Sequence, residues 1–161
     1  MELTVRPATT ADAAAGVEVL RRSITELCVE DHGKEPSELK PWLRNKTVAD
    51  WTGWVNGSGS SLFMAFLSDR ACGVGMVSWH GEVLLNYVHP DFRFQGVSTA
   101  VLNVLEQEAA LRGTTRMTLE STRTAEGFYR ARGYVPVAGG NGPWMEKTLL
   151  PADDRPITEP G

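Results

Sequence analysis

The segment with the densest potential for chemistry is Val88-His89-Pro90-Asp91-Phe92-Arg93-Phe94-Gln95-Gly96-Val97-Ser98-Thr99-Ala100. An apolar run stops at Pro90 and a loop follows. From Val97, apolar residues recur at Ala100, Val101, Val104 and Leu105, the spacing of one helix face. A helix therefore starts at Gly96 or just after it. The first turn of a helix exposes N–H groups with no intrahelical partner, and the dipole adds partial positive charge there. A diphosphate fits such an end. Gly96 lets the backbone approach an anion closely, since it has no Cβ. Ser98 and Thr99 add hydroxyl donors and Arg93 adds a cation. The predicted cradle is thus the run of amides from Phe94 through Gln95, Gly96, Val97 and Ser98 to Thr99.

Other groups able to do acid–base or nucleophilic work are few. Glu82 opens a strand six residues before Val88, and strand parity puts it on one face with Asn86 and Val88 if no bulge intervenes. His80 and His89 titrate in the useful range, and nothing in the sequence ranks the three. Cys28 and Cys72 are isolated. No nucleophile elbow accompanies either thiol, which argues against a cysteine hydrolase. No paired Cys/His spacing suggests zinc, so no metal is expected.

The elements that must position these groups are legible in the patterning. Leu3-Thr4-Val5-Arg6 alternates and ends at Pro7, a first strand. Thr9, Thr10 and Asp12 offer cap chemistry to a helix with Val17, Leu20, Ile24 and Leu27 on one face. Between Glu30 and Pro41, Gly33 and Pro36 predict a loop or a short helical turn. Thr47-Val48-Ala49-Asp50 reads as a capping box with Asp in place of Glu, opening a helix with the stripe Val48, Trp51 and Val55. Strands are predicted at 62–67, 71–80 and 83–88, then the long helix from Val97, a strand at 116–120, and a helix face of Ala125, Phe128 and Tyr129 ending at Gly133. Last strands at 134–137 and 144–148 flank a Gly-rich loop. Gly73-Val74-Gly75 is a dinucleotide-fingerprint decoy, because Met76-Val77-Ser78-Trp79 continues a strand.

Composition bounds the rest. The chain has 161 residues, 42% apolar and 22% charged, which fits one globular domain over 1–150 with a flexible tail at 151–161. The net charge of −4, with Lys and Arg scattered, argues against nucleic acid as a partner. No stretch approaches the ~20 apolar residues of a membrane span, and the N-terminus lacks a signal-peptide pattern, so a cytoplasmic protein is expected.

Arg93-Phe94-Gln95-Gly96-Val97-Ser98 resembles the signature of the GNAT superfamily of N-acetyltransferases, Arg/Gln-x-x-Gly-x-Gly/Ala after the fourth strand, with Ser98 in the last place. Tyr87-Val88-x-Pro90 before it and Phe128-Tyr129-x-x-x-Gly133-Tyr134 after it extend the resemblance over roughly Leu3 to Leu149. The resemblance implies an α/β fold of the mixed α+β kind, three layers α/β/α around a central, mostly antiparallel, splayed sheet. It implies acetyl-CoA as acyl donor, with the pantetheine arm between the fourth and fifth strands against the backbone of Tyr87 and Val88, and the diphosphate on the cradle. Phe128 and Thr122 would also meet coenzyme A, Thr122 standing where many members carry Asn. Tyr129 matches the tyrosine near the CoA sulfur, a proton donor to the leaving thiolate, and Glu82 lies at the offset of the base in histone-type members. The implied reaction is direct acetyl transfer to a primary amine of a small molecule or peptide. A non-catalytic acyl-CoA sensor of the same fold is the alternative, and a pure interaction protein would not be stabilised by CoA at all. Many members are homodimers, which inclines the expectation that way. Glu26, Glu30, Asp31, Glu35 and Glu38 would favour a cationic acceptor, and Trp42, Trp51 and Trp54 could line its pocket.

Overall fold

The computed structural model describes residues 2–28, 36–137 and 142–149. Strand β1 (Leu3–Pro7) ends at its proline as the alternation predicts. The Thr9 N–H donates to Asp12 Oδ2 at 2.8 Å ahead of helix α1 (Ala13–Leu27), which buries Val17, Leu20 and Ile24. Helix α2 (Pro36–Leu43) begins in the stretch read as a loop or a short turn of helix and runs two residues past it. Pro36 stands at its first position, where a missing N–H costs nothing, and Pro41 lies within it. Helix α3 (Val48–Asn56) opens on the predicted capping box: Asp50 N–H donates to Thr47 Oγ1 and Thr47 N–H to Asp50 Oδ2, both at 3.2 Å. A cap of this kind stabilises by about 1 kcal/mol.

Strands β2 (Ser60–Leu67), β3 (Arg70–Ser78) and β4 (Glu82–Val88) follow as a meander, then helix α4 (Val97–Leu111), strand β5 (Arg116–Glu120), helix α5 (Glu126–Ala131), and strands β6 (Val135–Pro136) and β7 (Trp144–Thr148). The sheet runs β1-β2-β3-β4-β5-β7-β6 and is antiparallel except between β4 and β5. Its two faces divide the core. Leu62, Met64, Val74 and Met76 pack with Leu20 and Trp51 from α1 and α3. Phe63, Ala65 and Leu67 pack on the other side with Val97, Val101 and Leu105 of α4. This is the mixed, three-layer arrangement that the resemblance implies. The predicted tail 151–161 lies outside the described residues, as do 138–141 of the Gly-rich loop.

Two features of the sheet shape the site. Gly73 and Gly75 face α4, and a Cβ on either would stand 2.6 Å from Val97 Cγ1 or 2.3 Å from Val101 Cγ1. These glycines let α4 lie close on the sheet, which is their role in place of any fingerprint. The parallel pair β4–β5 is joined only at Glu82↔Thr118 and Val83↔Leu119, although β4 continues to Val88. The two strands part beyond that point, leaving a wedge between them, and a bulge lies at its base. Met76 pairs with Leu85 but Val77 with Val83, so Leu84 is the extra residue.

Candidate functional site

The cradle is built at the end of β4. His89 N–H continues the ladder to Cys72 O at 2.8 Å, and its Nδ1 accepts the Asp91 N–H at 3.1 Å. From α1, Arg22 Nη1 lies 3.2 Å from His89 Nε2 and 3.6 Å from Asp91 Oδ2, tying the first helix to this turn. The chain then passes Phe94 and Gly96, both in the left-handed region at φ 63 and 80. Glycine adopts that conformation without cost, and at residue 96 a Cβ would meet nothing within 4 Å. The space in front of the helix end is open. Gly96 brings no side-chain cap, and the first intrahelical bond beyond it is Ala100 N–H to Gly96 O at 3.0 Å. The Val97, Ser98 and Thr99 amides of this first turn are therefore without helical partners, and these residues lie beside the open space at Gly96.

A cleft of about 600 Å³ begins at this helix end and runs into the wedge between β4 and β5. Arg93, Phe94, Gly96, Val97, Ser98 and Thr99 line it from the cradle, and Tyr87 and Val88 from β4. Thr122, Phe128 and Tyr129 line the opposite wall. Gln95 and Glu82 do not reach it. Thr122 Oγ1 accepts the Ala125 N–H at 3.2 Å, which fixes its hydroxyl at the start of α5 and leaves the hydroxyl proton for another acceptor.

Tyr129 is buried between Phe128 and Tyr134, whose ring centroids lie at 5.1 and 5.7 Å. Burial pushes its phenol above the usual tyrosine value, against a smaller opposing effect of Asn86. The hydroxyl thus stays protonated at neutral pH. Asn86 Nδ2 donates to the Tyr129 oxygen at 3.4 Å, while Asn86 Oδ1 is buried without a hydrogen-bond partner. Sequence reasoning did not single out Asn86 as a site residue; its signal is a polar residue inside the otherwise apolar run 83–88.

The bulge overturns the parity expected for Glu82. Val83 packs in the α4 layer and Leu85 in the α1 layer, although they are two residues apart. Glu82 consequently shares the α1 face with Tyr87, and Asn86 lies on the face of Tyr129. A second cavity of about 530 Å³ opens there, with Glu82, Glu120, Trp42, Tyr87 and Arg123 among its walls. Leu84, Tyr87, Glu120 and Thr122 line both cavities, so the two adjoin at the wedge. His80 and His89 line neither. Of the three tryptophans considered, Trp42 reaches the second cavity, while Trp51 is fully buried with its Nε1–H on Thr9 O at 3.0 Å. Glu26 is engaged by Arg22 at 2.7 Å; Glu30, Asp31 and Glu35 lie outside the described residues. Cys28 is buried in the wall of the first cleft. Cys72 is a core thiol whose burial pushes it up to about 11, the wrong direction for a nucleophile. Among the described residues no group of three or more His, Cys, Asp or Glu could hold a metal ion, and no helix is long and apolar enough to cross a membrane.

The arrangement of helices around a mostly antiparallel sheet recurs in known proteins. The family model for the acetyltransferase (GNAT) domain matches residues 33–142. The chain belongs to the GNAT acetyltransferase family. Among solved structures, a GCN5-related N-acetyltransferase from Rhodopseudomonas palustris is 25% identical, with a TM-score of 0.79 over 92% of this chain and 97% of its own. The PaiA N-acetyltransferase of Thermoplasma acidophilum, solved in complex with coenzyme A, is 17% identical with a TM-score of 0.82, covering 92% of this chain and 100% of its own. The ribosomal-protein-S18-alanine N-acetyltransferase of Escherichia coli shares the fold at 19% identity and a TM-score of 0.60, covering 92% and 93%. This GNAT chain thus keeps the family fold over nearly its whole length.

Proposed function

We propose that this GNAT protein transfers an acetyl group from acetyl-CoA directly to a primary amine within a ternary complex. The observation that carries the reading is the pair of cavities adjoining at the wedge between β4 and β5. Tyr129 lines one, Glu82 lines the other, and Glu120 lines both. An acceptor and a donor entering from opposite faces of the sheet would meet there, which is the geometry of a transfer without a covalent enzyme intermediate.

The chain's own groups fit a CoA-shaped ligand. The uncapped first turn of α4 and the open space at Gly96 suit its diphosphate. The parted stretch of β4 at Tyr87 and Val88 leaves backbone groups for an amide-bearing arm, and Thr122 retains a hydroxyl proton for a carbonyl. When bound, acetyl-CoA supplies an activated acyl group and a thiolate leaving group. Tyr129 holds a proton that a departing sulfur can take, its phenol kept neutral by burial. On the acceptor side Glu82 or Glu120 would accept the proton of the incoming ammonium, directly or through water, to free the nitrogen lone pair. The carboxylates also draw a cationic amine toward the cavity, and Trp42 provides an apolar wall. A small molecule or a peptide N-terminus both present such an amine.

The test is a thermal-shift series with acetyl-CoA, CoA and ATP, followed by a panel of amines monitored for free thiol. Stabilisation by both CoA species but not by ATP, with thiol release dependent on an amine, is the expected result. Stabilisation without thiol release from any amine would make the protein a CoA-binding sensor, and no stabilisation by CoA would end the enzyme reading.

A further inference from the structure

Arg132 stands just past α5 with its guanidinium against the first turn of α4. Nε and Nη2 donate to Thr99 Oγ1 at 3.0 and 2.8 Å, and Nη1 donates to Phe128 O at 3.0 Å. Its Cζ lies 4.0 Å from the centroid of the Phe128 ring. These three bonds occupy three of the five N–H groups of a guanidinium, and every acceptor is neutral. Arg6, Arg22, Arg112, Arg116 and Arg130 each lie within ion-pair distance of a carboxylate. Among the described residues Arg132 has no such partner. A cation without a counter-anion beside it keeps its field for an incoming anion, because no opposite charge cancels it. Arg132 does so in the wall of the cleft, beside the uncapped amides. Arg93, the cation that the sequence suggests, sits differently: its Cζ lies 4.6 Å over the ring of Phe94, which is 92% exposed.

We propose that Arg132 is the fixed cation of the cradle, binding a phosphate of the cofactor with its uncommitted N–H groups. Thr99 and Phe128 hold the guanidinium in place beforehand, so little side-chain freedom is lost on binding. The proposal rests on reading the cleft as a CoA site, and it adds the residue just past α5 to a cradle otherwise made of the loop and α4. The phosphate is either the diphosphate or the 3′-phosphate of the ribose, which share the same chemistry toward a guanidinium.

Calorimetric titration of the wild type and of Arg132→Met with CoA and with dephospho-CoA tests it. The variant is expected to bind CoA about tenfold more weakly or worse, the scale of a lost charged hydrogen bond. A loss confined to CoA assigns the contact to the 3′-phosphate, and an equal loss for both ligands assigns it to the diphosphate; either supports the proposal. Binding of both ligands by Arg132→Met within about twofold of the wild type overturns it. Wild-type protein that binds neither ligand would instead defeat the CoA reading of the cleft. Because Arg132 also braces α5 against α4, a second measurement uses the unaltered protein. Phenylglyoxal labelling read by peptide mass spectrometry should show Arg132 protected at saturating CoA, and unchanged labelling there overturns the proposal even where the Met variant fails to fold.

Discussion

Tyr129 combines two properties that a proton donor needs: a wall position in the cleft and burial that keeps its phenol neutral. Tyr129→Phe preserves the ring packing against Phe128 and Tyr134 and removes the hydroxyl, with it the proton and the acceptor of the Asn86 bond. It should lower kcat by about 100-fold or more while leaving the affinity for CoA nearly intact, since general acids contribute on that scale. Equal kcat in both proteins would remove Tyr129 from the chemistry. Glu82 lies on the other side of the wedge, and a base must be ionised to act. Glu82→Gln is therefore expected to abolish or displace the acidic limb of the kcat/KM profile; an unchanged limb would pass the role to Glu120, which shares its cavity. At this scale the helix start at Gly96 was legible as a local pattern, and the family resemblance marked Tyr129. The sequence could not separate Arg130 from Arg132. One pairs with Glu126 a turn away, and the other crosses to Thr99, 33 residues distant in the chain.

At the scale of elements, two glycines do different work and should fail differently. Gly96 carries φ 80 in open space, so alanine there costs the left-handed conformation alone, about 1 kcal/mol. Asn, which tolerates that region, should recover most of the loss in a urea titration. Gly75 has ordinary backbone angles, but its missing Cβ admits Val101 of α4. Gly75→Ala should cost about 1–3 kcal/mol through overpacking, and Gly75→Asn should be worse. Identical responses to Asn at both positions would refute this division. The elements themselves were largely legible: the capping box of α3, the strands of the meander and the stripe of α4 follow from spacing. Helix α2 was legible only as a loop or a short helical turn, because prolines and a nearby glycine look like loop signals unless the position of Pro36 at a helix start is known. The bulge at Leu84 was invisible. An extra residue in one strand is defined only against its partner, here Val77 and Met76 of β3.

For the whole molecule, the two interior tyrosines couple folding to pH. Burial pushes both Tyr129 and Tyr134 above the ordinary value of 10.0, and the Glu106 carboxylate, whose Oε2 accepts the Tyr134 hydroxyl at 2.9 Å, raises Tyr134 further. Above about pH 10 the unfolded chain releases these protons and the folded one retains them, so the unfolded state binds fewer protons and stability falls as pH rises. The midpoint of urea unfolding should decline through that range, and Tyr134→Phe should blunt the decline. The same slope in the variant would count against the assignment. By itself, the sequence determined the order of elements apart from helix α2, the glycine-led helix start at Gly96 and the family, since each is written in contiguous residues. Only the tertiary structure decided which groups meet at the wedge. The parting of β4 from β5, the face given to Glu82, and the approach of Arg132 to α4 depend on pairings between segments far apart in the chain, and periodicity along one segment carries no information about its neighbour.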